Sequence, residues 1–288
     1  MKKLLCLCLL SPCFGGCGGY YLLTVPDQLA KSDGELVPVI RLQRNDFFFL
    51  ALPARNQAMR FTLYPTPDTS PGAAGESPLR SAGTDKTGYA GVLFSMSRKP
   101  VRGKAGLYYM KVALQDVEGA EISAAVPLFV WDSASSVVAV DYDSLPRGYG
   151  PDDPAVAALR NIARSAHVVY FTRQSRRTRE DAHRRLADAG YPDGPILLWQ
   201  RKSWHVVREG KFKLPRVRIE NRLEGHLPGL VEQFPKMRYG VCTSEAAARA
   251  FVDAGMKCVV VGNASMSGSR LIHRDSWDHL ARQGLPKD

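Results

Sequence analysis

The chain reads as two domains in succession behind a short leader: an all-β sandwich over residues 18–132, then a three-layer α/β domain over residues 133–288. Three observations predict this. At 288 residues the chain is long enough for two separate cores, on a scale of about 100 to 200 residues per domain. Up to Trp131 the apolar runs are short and punctuated by turn formers, with no sustained helical period. Beyond Trp131, continuous apolar runs alternate with amphipathic helices, the pattern of a parallel sheet covered on both faces.

The leader, MKKLLCLCLLSPCFGGCGGYY, sets Lys2 and Lys3 ahead of the apolar stretch Leu4 to Leu10. That stretch is far short of the roughly 20 apolar residues that span a bilayer as a helix, so it reads as a signal sequence. Its end, Gly15-Gly16-Cys17, resembles the small-small-Cys box of bacterial lipoproteins, with Phe14 where that box usually has Leu. The resemblance implies residues 1–17 as a lipoprotein signal peptide and lipidation at Cys17. The mature chain would then be a membrane-anchored lipoprotein of the bacterial cell envelope, tethered without crossing. An ordinary cleaved signal peptide is the alternative. Cys6, Cys8 and Cys13 would leave with the leader, so Cys242 and Cys258 remain as thiols of the folded body. Placed at the end of one parallel strand and the start of its neighbour, they are expected at opposite edges of the sheet, beyond the roughly 7 Å Cα limit for a bridge. Two buried free thiols follow.

In the first domain the strands are ELVPVIRL, DFFFLAL, MRFTLYP, AGVLFSM, GLYYMKVAL and AAVPLFVW, separated by clusters such as PTPDTSPGAAGESP and GTDKTG. Short strands with regular turn signals argue for a sandwich. TDKTGYAGVLF followed by GLYYMKV resembles bacterial immunoglobulin-like repeats, which implies an immunoglobulin-like sandwich.

In the second domain VVAVD, HVVYFT, PILLW, YGVCT and KCVVVG are strands. DDPAVAALRNIARSA, TREDAHRRLADAG, VRIENRLEGHLPGLVEQF and SEAAARAFVDAG are helices, the second closed by Gly190, and SWDHLARQG is a short last helix. WHVVREGKFKL interrupts the alternation as an inserted hairpin. No glycine-rich nucleotide loop is present.

In open α/β sheets, ligands bind beyond the carboxyl ends of the strands, where helix N-termini point outward. Asp141 and Asp143, one residue apart at the end of VVAVD, stand there, and so does Thr172 at the end of HVVYFT. Such a carboxylate pair suits a nucleophile with a neighbouring acid/base, or a hard cation; equally, Asp is common at strand-end turns. With the basic stretch around Lys211 and Lys213, and YGVCTSEAAARAFVDAG further on, residues 136 to 263 resemble the haloacid dehalogenase-like (HAD-like) superfamily of phosphatases. The lipin-type and phosphatidylinositol-transfer branch is the nearest. The resemblance implies a Rossmann-like α/β fold with Asp141 as nucleophile and Asp143 as acid/base. Thr172 would bind the phosphate, and Lys213, with Lys211 as its alternative, would stabilise charge. Mg²⁺ would sit on Asp141 and Asp143. Two departures count against full chemistry. Leu145 stands where the family has Thr, and Val241 aligns with the metal-binding carboxylate, leaving Glu245 as the substitute ligand.

Lys plus Arg at 39 against Asp plus Glu at 28 gives a net charge of +11, which favours anionic partners. The basic stretches QSRRTRED, AHRR and RLIHR lack interleaved aromatics, so a nucleic acid is not expected; a lipid headgroup or phosphorylated ligand is. The six histidines fall into no metal-ligand spacing. Two functions follow: a lipid-anchored binding or scaffolding protein with a degenerate phosphatase-like domain, or an active Mg²⁺-dependent phosphatase on phosphate monoesters.

Overall fold

The computed structural model of the protein describes residues 20–47, 50–115, 121–146, 150–173, 179–198, 227–262 and 266–286. The leader with Cys17, and the segment that holds Trp199, Trp204, Lys211 and Lys213, lie outside the described residues. The fold is mixed: largely antiparallel strands come first, and parallel strands with helices follow.

The first half holds β1 (Tyr20–Thr24), β2 (Gln28–Lys31), β3 (Glu35–Leu36), β4 (Val39–Phe47), β5 (Leu50–Pro53), β6 (Ala58–Tyr64), β7 (Arg80–Gly83), β8 (Tyr89–Gly91), β9 (Phe94–Ser95), β10 (Gly106–Gln115) and β11 (Glu121–Trp131). One sheet runs β1-β4-β5, with β8 also on β4; a second runs β2-β11-β10-β6-β7; β3 and β9 form a ribbon. Pairing is antiparallel except for β2 beside β11. Period-2 alternation does the packing. Ile40 and Leu42 from the first sheet meet Met59, Phe61, Leu63, Met110, Val112 and Leu128 from the second in one core.

The sequence reading needs revision at its first strands. β1 and β2 precede ELVPVIRL, which itself divides at Val37-Pro38, because Pro38 has no N–H for a ladder. DFFFLAL is not one strand but divides between β4 and β5, since Phe47 of β4 pairs with Leu50 of β5. AGVLFSM likewise divides between β8 and β9.

The second half holds β12 (Val137–Asp141), a 3₁₀ turn (Tyr142–Ser144), α1 (Pro154–Ala163), β13 (His167–Thr172), α2 (Arg179–Ala189), β14 (Ile196–Leu198), α3 (Leu227–Gln233), β15 (Tyr239–Cys242), α4 (Glu245–Asp253), β16 (Lys257–Val261), β17 (Leu271–Arg274) and α5 (Trp277–Gln283). RLIHR, taken from the sequence as a basic stretch, supplies the sixth strand. The strand order is β14-β13-β12-β15-β16-β17, parallel throughout. All five residues of β12 are buried. Val137 and Ala139 face a layer with α3 and α4, while Val138 and Val140 face a layer with α1, α2 and α5. Residue types do the local work: Asp153 caps α1 ahead of Pro154, and Gly190 ends α2 at φ 78°, a conformation that favours glycine. Gly240 lets the Phe251 ring lie against β15, where any Cβ would collide.

The two halves share contacts. Leu29, Phe129 and Trp131 enter the α3/α4 layer, and Trp131 stacks on His167 with ring centres 4.5 Å apart. Asp27 Oδ2 accepts from the Ile196 N–H at 2.7 Å and lies 2.6 Å from His183 Nε2 on α2.

Candidate functional site

The chain leaves β12 to build β13 and β14 on one side, then crosses to build β15, β16 and β17 on the other. Strand order therefore reverses between β12 and β15, the position at the carboxyl ends where open α/β sheets bind their ligands. Asp141, the last residue of β12, is 1% exposed at that point.

Asp141 Oδ2 accepts from Ser144 Oγ at 2.6 Å and from Ser244 Oγ at 3.3 Å. Ser144 Oγ in turn accepts from the Thr243 N–H at 2.9 Å. Ser244 is the N-cap of α4, accepting from the Ala247 N–H at 3.3 Å, and it also accepts from Arg173 Nη2 at 3.2 Å. Asp143 turns the other way: its Oδ1 accepts from Thr172 Oγ1 at 3.1 Å and its Oδ2 from the Arg173 N–H at 2.9 Å. The ends of β12, β13 and β15 are thus tied by one network, with the Arg173 guanidinium reaching from beyond β13 to Ser244 beyond β15. Beneath the network, Arg185 on α2 donates to Leu145 O and Pro146 O, both at 3.0 Å, and lies 5.0 Å from the Tyr142 ring centre. That clamp holds the turn carrying Asp143 and Ser144.

The structure brings Asp141, Asp143 and Thr172 together and does not bring Glu245 to them. Glu245, in the first turn of α4, forms an ion pair with Arg249 on the same helix; both line a groove of about 580 Å³ with Met266 to Leu271. Lys211, Lys213 and Cys17 lie outside the described residues. Val241 is corrected in place. It pairs with Val140 inside the sheet and packs in the apolar α1/α2/α5 layer, one strand position short of the edge. Ser244, three residues on, is what reaches Asp141 from β15. Leu145 is buried in the same layer, and the Ser144 hydroxyl serves the turn instead.

The thiols are corrected too. Cys242 and Cys258 are free and buried, yet they are not at opposite edges: their sulfurs are 3.5 Å apart. Gly240 pairs with Cys258 and Cys242 with Val260, so the cysteines are diagonal neighbours on one face. Their contact, with burial adding to it, raises the Cys242 thiol well above its ordinary pKa.

Ser144, Arg173 and Ser244 escaped the sequence reading. Ser244 carried a usable signal, a hydroxyl residue just before an Ala-rich helix; Arg173 carried none. As a site for Mg²⁺ the cluster fits poorly. Both oxygens of Asp143 and Oδ2 of Asp141 hold protein donors, and among the described residues no three His, Cys, Asp or Glu side chains gather as ligands.

No family model matches the chain, and no curated protein matches it. Among solved structures it is similar to the native conformation of E. coli alpha-2-macroglobulin at 11% identity, over 41% of this chain and 8% of that one, with a TM-score of 0.30. It is similar to the soluble domain of PmoD from Methylocystis sp. at 14% identity, over 38% of this chain and 90% of that one, with a TM-score of 0.24. A beta-glucosidase from Listeria innocua in complex with glucose matches at 9% identity, over 40% of this chain and 17% of that one, with a TM-score of 0.21. All three scores lie below 0.5, so fold and site rest on the geometry of this chain itself.

Proposed function

We propose that the protein is a lipid-anchored binding or scaffolding protein of the bacterial cell envelope, with an immunoglobulin-like sandwich ahead of a degenerate HAD-like domain. The observation that carries this reading is that a hydroxyl, and not a second carboxylate, meets Asp141 from beyond β15. Ser244 faces Asp141 from β15, and the adjacent Glu245 is held by Arg249. A hard divalent cation wants anionic oxygen ligands, and a neutral hydroxyl that already donates to Asp141 supplies little. Polar donors gather at the ends of three strands, which suits an anionic or phosphorylated ligand better than turnover.

The juxtaposition of Asp141, Asp143 and Thr172 at the point of strand-order reversal favours a second reading, an active phosphatase. There, an Asp141 oxygen bonds to phosphorus as the ester oxygen leaves with its electron pair and takes a proton from Asp143. Water then releases phosphate from the aspartyl-phosphate. The deciding measurement is hydrolysis of p-nitrophenyl phosphate with Mg²⁺ by the full chain beside Asp141→Asn. The binding reading expects equal, background rates from two folded proteins. Turnover present in the parent and absent from the variant would establish the phosphatase.

A further inference from the structure

At one end of the β1-β4-β5 sheet the register gathers exposed apolar and cationic side chains. Tyr20 pairs with Asn45, Tyr21 with Arg44 and Leu22 with Gln43. On the other side of β4, Arg44 pairs with Leu52, Asn45 with Ala51 and Phe47 with Leu50. Leu22 and Leu52 are 47% and 46% exposed. They stand in adjacent rows and so on opposite faces of the sheet end. The exposed Arg44 guanidinium lies 6.0 Å from the Tyr21 ring centre.

This end is remote from the parallel half. β1 leads away from it, and seven residues after Tyr20 the chain reaches Asp27, which is bound to His183 and Ile196 of that half. The same end is where the chain arrives from Cys17, with Gly18 and Gly19 between Cys17 and Tyr20. Three residue steps span at most about 11 Å. Resting on the reading of Cys17 as the lipidated residue, Tyr20 is therefore held within about 11 Å of the lipid attachment, and a bilayer is the surface that this sheet end must meet.

We propose that the β4–β5 end of the first sheet is a bilayer-docking surface. Leu22 and Leu52 enter the headgroup boundary on either face of the sheet end, and Arg44 pairs with anionic headgroup phosphates. Docked in this way, the first half stands between the membrane and the parallel half.

The test uses the full chain, expressed with its own leader, recovered from the envelope and reconstituted into phosphatidylethanolamine–phosphatidylglycerol vesicles. An environment-sensitive fluorophore is attached through Leu52→Cys or, as control, Leu93→Cys; Cys242 and Cys258 are buried, so the introduced thiol takes the label. Leu93 is 48% exposed and lies two residues past Gly91, which pairs with Val39, five residues along β4 from Arg44, the partner of Leu52, and so roughly 17 Å away. The expected result is a blue-shifted emission at position 52 and quenching by lipid-borne nitroxide several-fold above that at position 93. Equal quenching at the two positions overturns the proposal. The mass of the N-terminal peptide separates the two ideas. An acylated Cys17 with no quenching difference rejects docking and keeps the anchor, whereas an unacylated Cys17, with strong quenching at 52 that persists when Cys17→Ser leaves the introduced thiol as the labelled one, keeps docking and rejects the anchor.

Discussion

Strand β6 buries Met59, Phe61 and Leu63 and leaves Arg60 between them half-buried, whereas β12 buries all five of its residues, Asp141 included. In the first half two sheets share one core, so alternate residues have solvent as an outlet for polarity. In the second half the inner strands β12, β13, β15 and β16 have a helix-covered apolar layer on both sides, so a polar residue fits best at their ends. This difference puts the polar network at the carboxyl ends of β12, β13 and β15. It also makes the parallel half the less forgiving of the two.

Two glycines test that claim most sharply. Gly240→Ala would drive a methyl into the Phe251 ring and is expected to lose about 3 kcal/mol, while nothing lies within 4 Å of a Cβ at Gly83, so Gly83→Ala should stay within about 0.5 kcal/mol. Denaturant midpoints measure both, and equal losses would end the contrast between the halves.

The next effect concerns how independent the halves are. Asp27→Ala leaves the buried Ile196 N–H without its carboxylate acceptor, a loss of about 1 to 3 kcal/mol. Hydrogen exchange should show both halves losing protection together; a change confined to β1 and β2 would mean that they unfold separately. Ser244→Ala removes the cap of α4 and a donor to Asp141, and about 1 kcal/mol is expected. The loss should shrink in an Asp141→Asn background if the two side chains act as one unit.

The smallest effect lies at the seam. Desolvation against Trp131 holds the His167 imidazole below its ordinary value of 6.5, with the Asp132 carboxylate pulling the other way. Because the folded value is the lower one, the unfolded state takes up the proton first. The stability contributed is complete above about pH 6.5 and is lost as pH falls from there through the folded value. An NMR titration of His167 should give a midpoint below 6.5 that rises in Trp131→Ala; a midpoint unchanged by that substitution would remove Trp131 as the cause.

By itself the sequence determined the change of period at Trp131, the helix closed by Gly190, and the carboxyl-end position of Asp141, Asp143 and Thr172. Each depends on local spacing or on one residue's backbone preference, and both are written in adjacent residues. Tertiary structure alone decided the rest. Strand order brought Ser244, 103 residues along the chain, to Asp141, and carried the Arg173 guanidinium across to Ser244, 71 residues on. Register set Cys258 diagonal to Cys242 and placed Val241 inside an apolar layer. A contact between strands depends on which strands are neighbours and by how many residues they are offset, and no window along the chain contains either quantity.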